Sequence, residues 1–223
     1  MGRGVGMSLL GERSGFGCGD GAQNPIIGQT AVVAADLHRV GEIAEAVSLA
    51  AKNAQLIAAR IGERGRAFEP ITSYIDEITR SAQSGTEQVE AMALQLTRVA
   101  TRYLRTVDTY RRYGQVLERA DQACHVNTLR PAVESRFAAL TETRGDLERL
   151  AQTLRLQLQD LDLHMRAALV VAAICRVEAA RAGDLNQSLG VVADELESAA
   201  HEVQGILRKG LKCVEIIRGA VRE

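Results

Sequence analysis

Apolar residues recur along most of this chain at alternating intervals of four and three positions. The pattern begins near Thr30 and runs to Ile61, and it returns over roughly 67–122, 131–182 and 189–221. Such spacing places apolar side chains along one side of an α-helix, as in a coiled coil. The sequence therefore predicts an all-α fold with four long helices, of which the second and third are the longest.

Two short polar stretches, near 62–66 and 183–188, interrupt the apolar pattern and predict the tips of two helical hairpins. Glycines in the first stretch allow backbone angles that other residues resist. The hairpins span 29–122 and 131–223, and residues 123–130 connect them. Two hairpins in one chain predict an elongated antiparallel four-helix bundle of the coiled-coil type.

Residues 1–28 do not share this pattern. They contain nine glycines and lack the apolar stretch of a signal peptide. We interpret them as a flexible Gly-rich N-terminal arm, with an incorrectly assigned start site as the alternative.

The difference in predicted helix lengths has a structural consequence. If the two tips lie together, the first and fourth helices cover only the part of the bundle near the tips, and the other two continue as a pair. This distal part contains four of the seven aromatic residues: Tyr103, Tyr110, Tyr113 and Phe137. An uncovered aromatic segment favours self-association as a homodimer or cover by the N-terminal arm. A self-sufficient two-stranded coiled coil is the alternative.

Composition restricts the classes of function. Hydrophobic residues make up 46% of the chain but aromatic residues only 3%, which suits narrow helix–helix seams of Ala, Val, Leu and Ile. The net charge is −1, so no overall field favours nucleic acid or an anionic membrane. The longest apolar run near a repeat, 167–174, is far shorter than the roughly 20 residues that a membrane span needs.

The residues that most often carry chemistry show no arrangement typical of an enzyme. The four cysteines form no Cys-x-x-Cys motif, which favours small buried thiols in a reducing cytoplasm. The four histidines are scattered without ligand-like spacing, so we predict no metal site and no cofactor. We find no nucleophile–base pairing, phosphate-binding loop or convergent carboxylate cluster, and we therefore predict that the chain is not an enzyme.

One short pattern occurs twice. Ala58-Ala59-Arg60 aligns without a gap on Ala179-Ala180-Arg181, 121 positions further along the chain, and Gly62-Glu63 then aligns on Gly183-Asp184. In both copies an apolar heptad pattern ends at the motif and a polar turn follows. The repeat therefore marks corresponding places in the two hairpins.

Around both tips the sequence resembles the cytoplasmic signalling domain of methyl-accepting chemotaxis proteins, whose tip reads approximately E-A-A-R-A-G-E-x-G-R-G-F-A-V-V-A-D-E. The first copy keeps the turn, Gly62-Glu63-Arg64-Gly65-Arg66. The second keeps Glu178-Ala179-Ala180-Arg181-Ala182-Gly183 and Val191-Val192-Ala193-Asp194-Glu195. The resemblance covers roughly 45–82 and 166–203.

The resemblance implies a function. In that family each subunit is one antiparallel hairpin, two subunits form a four-helix bundle, and the tip binds a histidine kinase and its coupling adaptor. This chain would then be a covalently joined pseudo-dimer, a soluble cytoplasmic signalling or scaffold protein that docks both partners. The residues that would form the protein-binding tip are Leu49, Asn53, Leu56, Arg60, Glu63, Arg64, Arg66, Phe68, Val177, Glu178, Arg181 and Asp184.

Departures from the family pattern favour a second interpretation. Ile57 stands where the family has the tip Glu, and Asn186 and Gln187 replace the Gly-Arg of the second turn. The alternative function is a structural coiled-coil assembly protein that has kept the chemoreceptor fold and lost kinase coupling.

Overall fold

The chain folds into four α-helices in the computed structural model, which describes residues 25–60, 69–119, 126–181 and 186–222. We number the helices in chain order: α1 (Pro25–Arg60), α2 (Glu69–Arg119), α3 (Arg130–Arg181) and α4 (Asn186–Arg222). A short 3-10 helix, Val126–Thr128, precedes α3. The described residues form no strand, which confirms the predicted all-α class.

Three predicted boundaries differ from the structure. α1 begins at Pro25, so the end of the predicted arm at 1–28 is helical. Proline suits this place because its backbone angle is already helical and the first helical residues need no N–H for intrahelical bonds. α3 likewise begins with Arg130 and Pro131, one residue inside the predicted connection.

The third boundary is the start of α4. This helix begins at Asn186, so the predicted tip at 183–188 is too long. The first turn of a helix has N–H groups without intrahelical partners, and polar residues there are readily accommodated. The predicted tip at 62–66 lies outside the described residues.

The helices form a ring in which each contacts two neighbours. α1 packs against α2 and α4, and α3 packs against the same two helices, so α1 and α3 are diagonal. Neighbours run antiparallel: Ser81 of α2 meets His164 of α3, and further along α2 Tyr110 meets Phe137. The C-terminal ends of α1 and α3 therefore lie at the same end of the bundle.

The predicted heptad seams form most of the core. These seam positions are largely Ala, Val, Leu and Ile, and they are buried along the part of the bundle that all four helices share. The buried seam residues are Val40, Ala44, Val47 and Ala51 on α1; Ile75, Ile78, Ala82, Val89 and Leu96 on α2; Leu147, Ala151, Leu154, Leu158, Leu161, Met165, Ala168, Ala172, Cys175 and Ala179 on α3; and Leu189, Val192, Leu196, Val203, Ile206, Gly210, Cys213 and Ile217 on α4.

Two helices bury a third row that the sequence analysis missed. On both, the extra row follows directly after a seam position and repeats every seven residues. The row consists of Thr72, Thr79, Thr86, Ala93 and Ala100 on α2, and of Ala193, Ala200, Leu207, Val214 and Val221 on α4. The buried hydroxyls are satisfied within their own helix, since Thr79 donates to the carbonyl of Ile75 at 2.7 Å. A helix between two neighbours presents a stripe wider than a two-position seam.

The last part of α2 and the first part of α3 contain no buried residues. The last buried residue of α2 is Ala100, and the first of α3 is Thr143. Beyond these positions the two helices run as a pair, and their facing side chains are only half-buried. We call this part of the molecule, residues 101–119 and 130–142, the distal pair.

Candidate functional site

The predicted docking residues that the structure describes lie near the ends of α1 and α3 that precede the two tips. Leu49 and Leu56 are 63% and 60% exposed on α1, and Val177 is 53% exposed on α3. Asn53 is also exposed. Arg60 is the last residue of α1. The other predicted residues lie outside the described part of the chain. They are Glu63, Arg64, Arg66 and Phe68 of the first tip and Asp184 of the second.

These residues form two surfaces rather than one. Because α1 and α3 are diagonal, their outward sides face in different directions. Leu49 and Leu56 are seven residues apart and share one side of α1, opposite the buried seam. Val177 belongs to a separate surface on α3.

The surface on α3 is larger than the sequence analysis predicted. Leu163, Val170, Ile174 and Val177 are 66%, 60%, 47% and 53% exposed, and Leu156 extends the same side of the helix. We call these five residues the outer apolar strip of α3. Since the opposite side of α3 is the buried seam, the helix is apolar on two sides here, which is typical of a helix with a covering partner. This surface could have been predicted from the sequence, because a second seven-residue apolar repeat runs along α3: Leu156, Leu163, Val170 and Val177.

Charged residues border the strip near the tip. Arg181 Nη1 donates to Glu178 Oε1 at 3.0 Å, and the Arg181 side chain is 72% exposed. This pair lies within one helix, where exposed ion pairs add little to stability. The predicted residues Glu178 and Arg181 therefore form an ion pair with each other.

Arg176 joins α3 to α4 in the same region. Its guanidinium contacts Asp194 at 2.6 Å and also pairs with Glu197. The hydrogen bonds that Arg176 donates to the carboxylates of Asp194 and Glu197 raise the pKa of Arg176. The sequence analysis missed this arginine. The contact holds Asp194, part of the Val-Val-Ala-Asp-Glu stretch at 191–195, in an interhelical ion pair.

All four aromatic residues proposed for self-association are partly buried or in contact with another ring within the chain. The rings of Tyr110 and Phe137 are 5.8 Å apart at 47°, a tilted contact between α2 and α3. Burial raises the pKa of the Tyr103 phenol, while Arg144 lowers it and Glu148 raises it. Tyr113 is half-buried. Phe137 remains 52% exposed and is the most accessible of the four.

The structure corrects the prediction that no nucleophile–base pairing exists. Ser81 Oγ lies 3.1 Å from His164 Nε2, across the contact between α2 and α3. His164 Nδ1 is 3.9 Å from Asp160, too far for a hydrogen bond. Ser81 stands in the middle of a helix, where neighbouring backbone N–H groups already bond to carbonyls and cannot stabilise an oxyanion. The geometry therefore supports an interhelical hydrogen bond and not hydrolysis.

The described residues offer neither a reactive thiol nor a metal site. Cys175 and Cys213 are buried free thiols, and burial raises the pKa of each. A protonated, inaccessible thiol is a poor nucleophile. Across residues 25–60, 69–119, 126–181 and 186–222, no group of three or more His, Cys, Asp or Glu side chains is placed to hold a metal ion. None of the described helices combines the length and apolarity required to cross a bilayer.

Comparisons with known proteins do not identify a relative. No family model matches the chain, and neither a curated protein nor a solved structure matches it. A proposal of function therefore depends on the surfaces described above and on the sequence motifs around the two tips.

Proposed function

We propose that this chain is a chemoreceptor-like signalling or scaffold protein that docks a chemotaxis-type histidine kinase and its coupling adaptor through the tip-proximal ends of its hairpins. The observation that carries the proposal is the exposure of large apolar side chains there, at Val170, Ile174 and Val177 of the outer apolar strip and at Leu49 and Leu56 of α1. The repeated Ala-Ala-Arg motif and the Gly-Glu-x-Gly-Arg turn lie at the same end of the sequence pattern.

Apolar anchors with a polar border are typical of helix-mediated recognition. Burial of exposed apolar surface favours association, and the part that exceeds the entropic and desolvation costs of binding appears as affinity. Side chains seven residues apart on one helix form a row that fits an apolar groove of a partner. Asn53 beside Leu49 and Leu56, and Arg181 beside Val177, supply polar groups that orient such a partner.

The test is a double substitution of one anchor on each surface, Leu56→Glu with Val177→Glu. We expect affinity for the coupling adaptor to fall on the order of a thousandfold, because two apolar anchors that contribute about 2 kcal/mol each remove about 4 kcal/mol of binding free energy. Affinity is measured by isothermal titration calorimetry, and kinase autophosphorylation is followed in the same samples.

The matched control is Leu94→Glu with Ile216→Glu, two residues that are 57% and 47% exposed and lie away from the tips. This control is expected to bind as tightly as the unmodified chain. Arg60→Glu with Arg181→Glu tests the arginine of the repeated Ala-Ala-Arg motif in both copies and is expected to abolish binding with helicity unchanged. If the unmodified chain and both tip variants bind the coupling adaptor with equal affinity, the docking proposal is wrong.

A structural assembly role is the second candidate, and the exposure of the distal pair favours it. Phe137 and Val116 are 52% and 48% exposed, and among the described residues neither α1 nor α4 covers them. If two copies associate here, Phe137→Ser is expected to convert a dimer into a monomer, as is Tyr103→Ser with Tyr110→Ser. Molar mass is measured by sedimentation equilibrium. A mass that stays unchanged in Phe137→Ser would rule out this interface.

A further inference from the structure

A groove of 370 Å³ on the side of α2 and α3 is lined by four arginines and three threonines. Arg98, Arg102 and Arg105 come from α2, and Arg136 comes from α3. The groove begins where the buried core ends and continues along the distal pair. Its chemistry is independent of the docking surfaces near the tips.

The spacing of the three α2 arginines places them on one side of the helix. They alternate by four and three positions, and the backbone from Arg98 to Arg105 rises by about 10 Å. Arg136 joins them only because α3 runs antiparallel beside α2. The chain has a net charge of −1, yet between positions 98 and 112 α2 contains five arginines and one aspartate.

These four arginines differ from most others on the surface. Arg80, Arg112 and Arg166 each pair with an aspartate four residues earlier, at 2.8–2.9 Å. The residues four positions before the groove arginines are Leu94, Arg98, Thr101 and Ala132. Within the part of the chain that the structure describes, none of the four has an ion pair or a side-chain hydrogen bond, and no acidic side chain lines the groove.

Clustered cations without a counter-charge favour an anionic ligand. Guanidinium groups donate pairs of hydrogen bonds in a planar geometry that matches phosphate oxygens. The threonines add no donors, since the hydroxyls of Thr101 and Thr109 already donate to backbone carbonyls at 2.9 and 2.7 Å. No aromatic side chain lines the groove, so it has no surface on which a nucleobase would stack.

We propose that this groove binds a compact polyanion with at least two phosphate groups. Four cations from two helices exceed the charge of a single orthophosphate and match linked phosphates that span about 10 Å. The shared chemistry is the phosphate chain, whether inorganic or esterified.

The experiment titrates inorganic tripolyphosphate into the full chain by calorimetry at an ionic strength of about 50 mM. Arg102→Gln with Arg105→Gln is expected to weaken binding at least tenfold, on the order of one lost charge-assisted hydrogen bond. The control is Arg149→Gln with Arg166→Gln, which removes the same charge from exposed positions on α3. This control is expected to bind within about twofold of the unmodified chain. Orthophosphate is expected to bind at least tenfold more weakly.

Three outcomes would overturn the proposal. The first is the absence of saturable tripolyphosphate binding. The second is an equal loss of tripolyphosphate affinity in both double variants, since that loss would reflect net charge alone. The third is a salt-sensitive dimer that Arg102→Gln with Arg105→Gln dissociates while tripolyphosphate does not bind. In that case the groove would accept the acidic first half of α2, with Asp76, Glu77, Glu87 and Glu90, from a second copy.

Discussion

Leu158→Ala is expected to lower the free energy of unfolding by about 3–5 kcal/mol, a large part of the stability of a domain of this size. Leu158 is fully buried on α3 and packs where α4 has a glycine: a Cβ at Gly210 would lie 3.4 Å from Leu158 Cδ1. Because no side chain at Gly210 can move into the space, the cavity left by the substitution stays open. The measurement is urea unfolding followed by circular dichroism at 222 nm.

Two further variants make this prediction specific. Leu163→Ala removes the same atoms from a side chain that is 66% exposed on the same helix, so its effect is expected within about 0.5 kcal/mol. Gly210→Ala is expected to reduce the cost of Leu158→Ala, because a methyl group there partly fills the cavity. Equal costs for Leu158→Ala and Leu163→Ala would contradict the described core.

Gly85→Leu is expected to destabilise the bundle by about 3 kcal/mol. A Cβ at Gly85 would lie 2.5 Å from Leu161 Cδ2 and 3.2 Å from its Cγ. Leu161 is itself only 2% exposed and is held by the core, so it has little room to move. The gain in helix propensity over glycine, about 1 kcal/mol, is smaller than the cost of the overlap. Thermal and urea unfolding measure the net effect.

Gly114→Leu is the matched control on the same helix. A Cβ at Gly114 would meet no atom within 4 Å, so only the propensity gain remains and a stabilisation of about 0.5–1 kcal/mol is expected. Changes of opposite sign in the free energy of unfolding for the two substitutions would support the contact between α2 and α3 at Gly85. Stabilisation by both substitutions would mean that the two helices do not approach closely there.

The seams could be predicted from sequence because helical periodicity is a local property. Val40, Leu154 and Ile217 were each placed on a seam by their spacing, and each is buried. On α2 the third buried row was missed because residues such as Thr79 and Thr86 are polar, and on α4 because an apolar row directly beside the seam was not separated from it. The hydroxyls of Thr79 and Thr86 donate to their own helix, which makes burial inexpensive in free energy.

The candidate surfaces were predicted less completely. Leu49, Leu56 and Val177 were chosen through the resemblance to chemoreceptors, and all three are exposed. Leu163 and Val170 were missed because a second apolar repeat on α3 was not separated from the seam. The contact between Ser81 and His164 joins residues 83 positions apart in the sequence. The spacing of residues within one helix does not predict contacts between residues so far apart in the chain.

The sequence by itself determined the helical class and the seams, because a heptad pattern specifies one side of each helix independently of the others. Only the tertiary structure decided how the helices meet. Gly85 and Gly114 look alike in the sequence, yet one faces Leu161 and the other faces open space. Arg136 likewise joins the α2 arginines only through the register of α3 against α2. That register depends on packing between segments far apart in the chain, which no local pattern encodes.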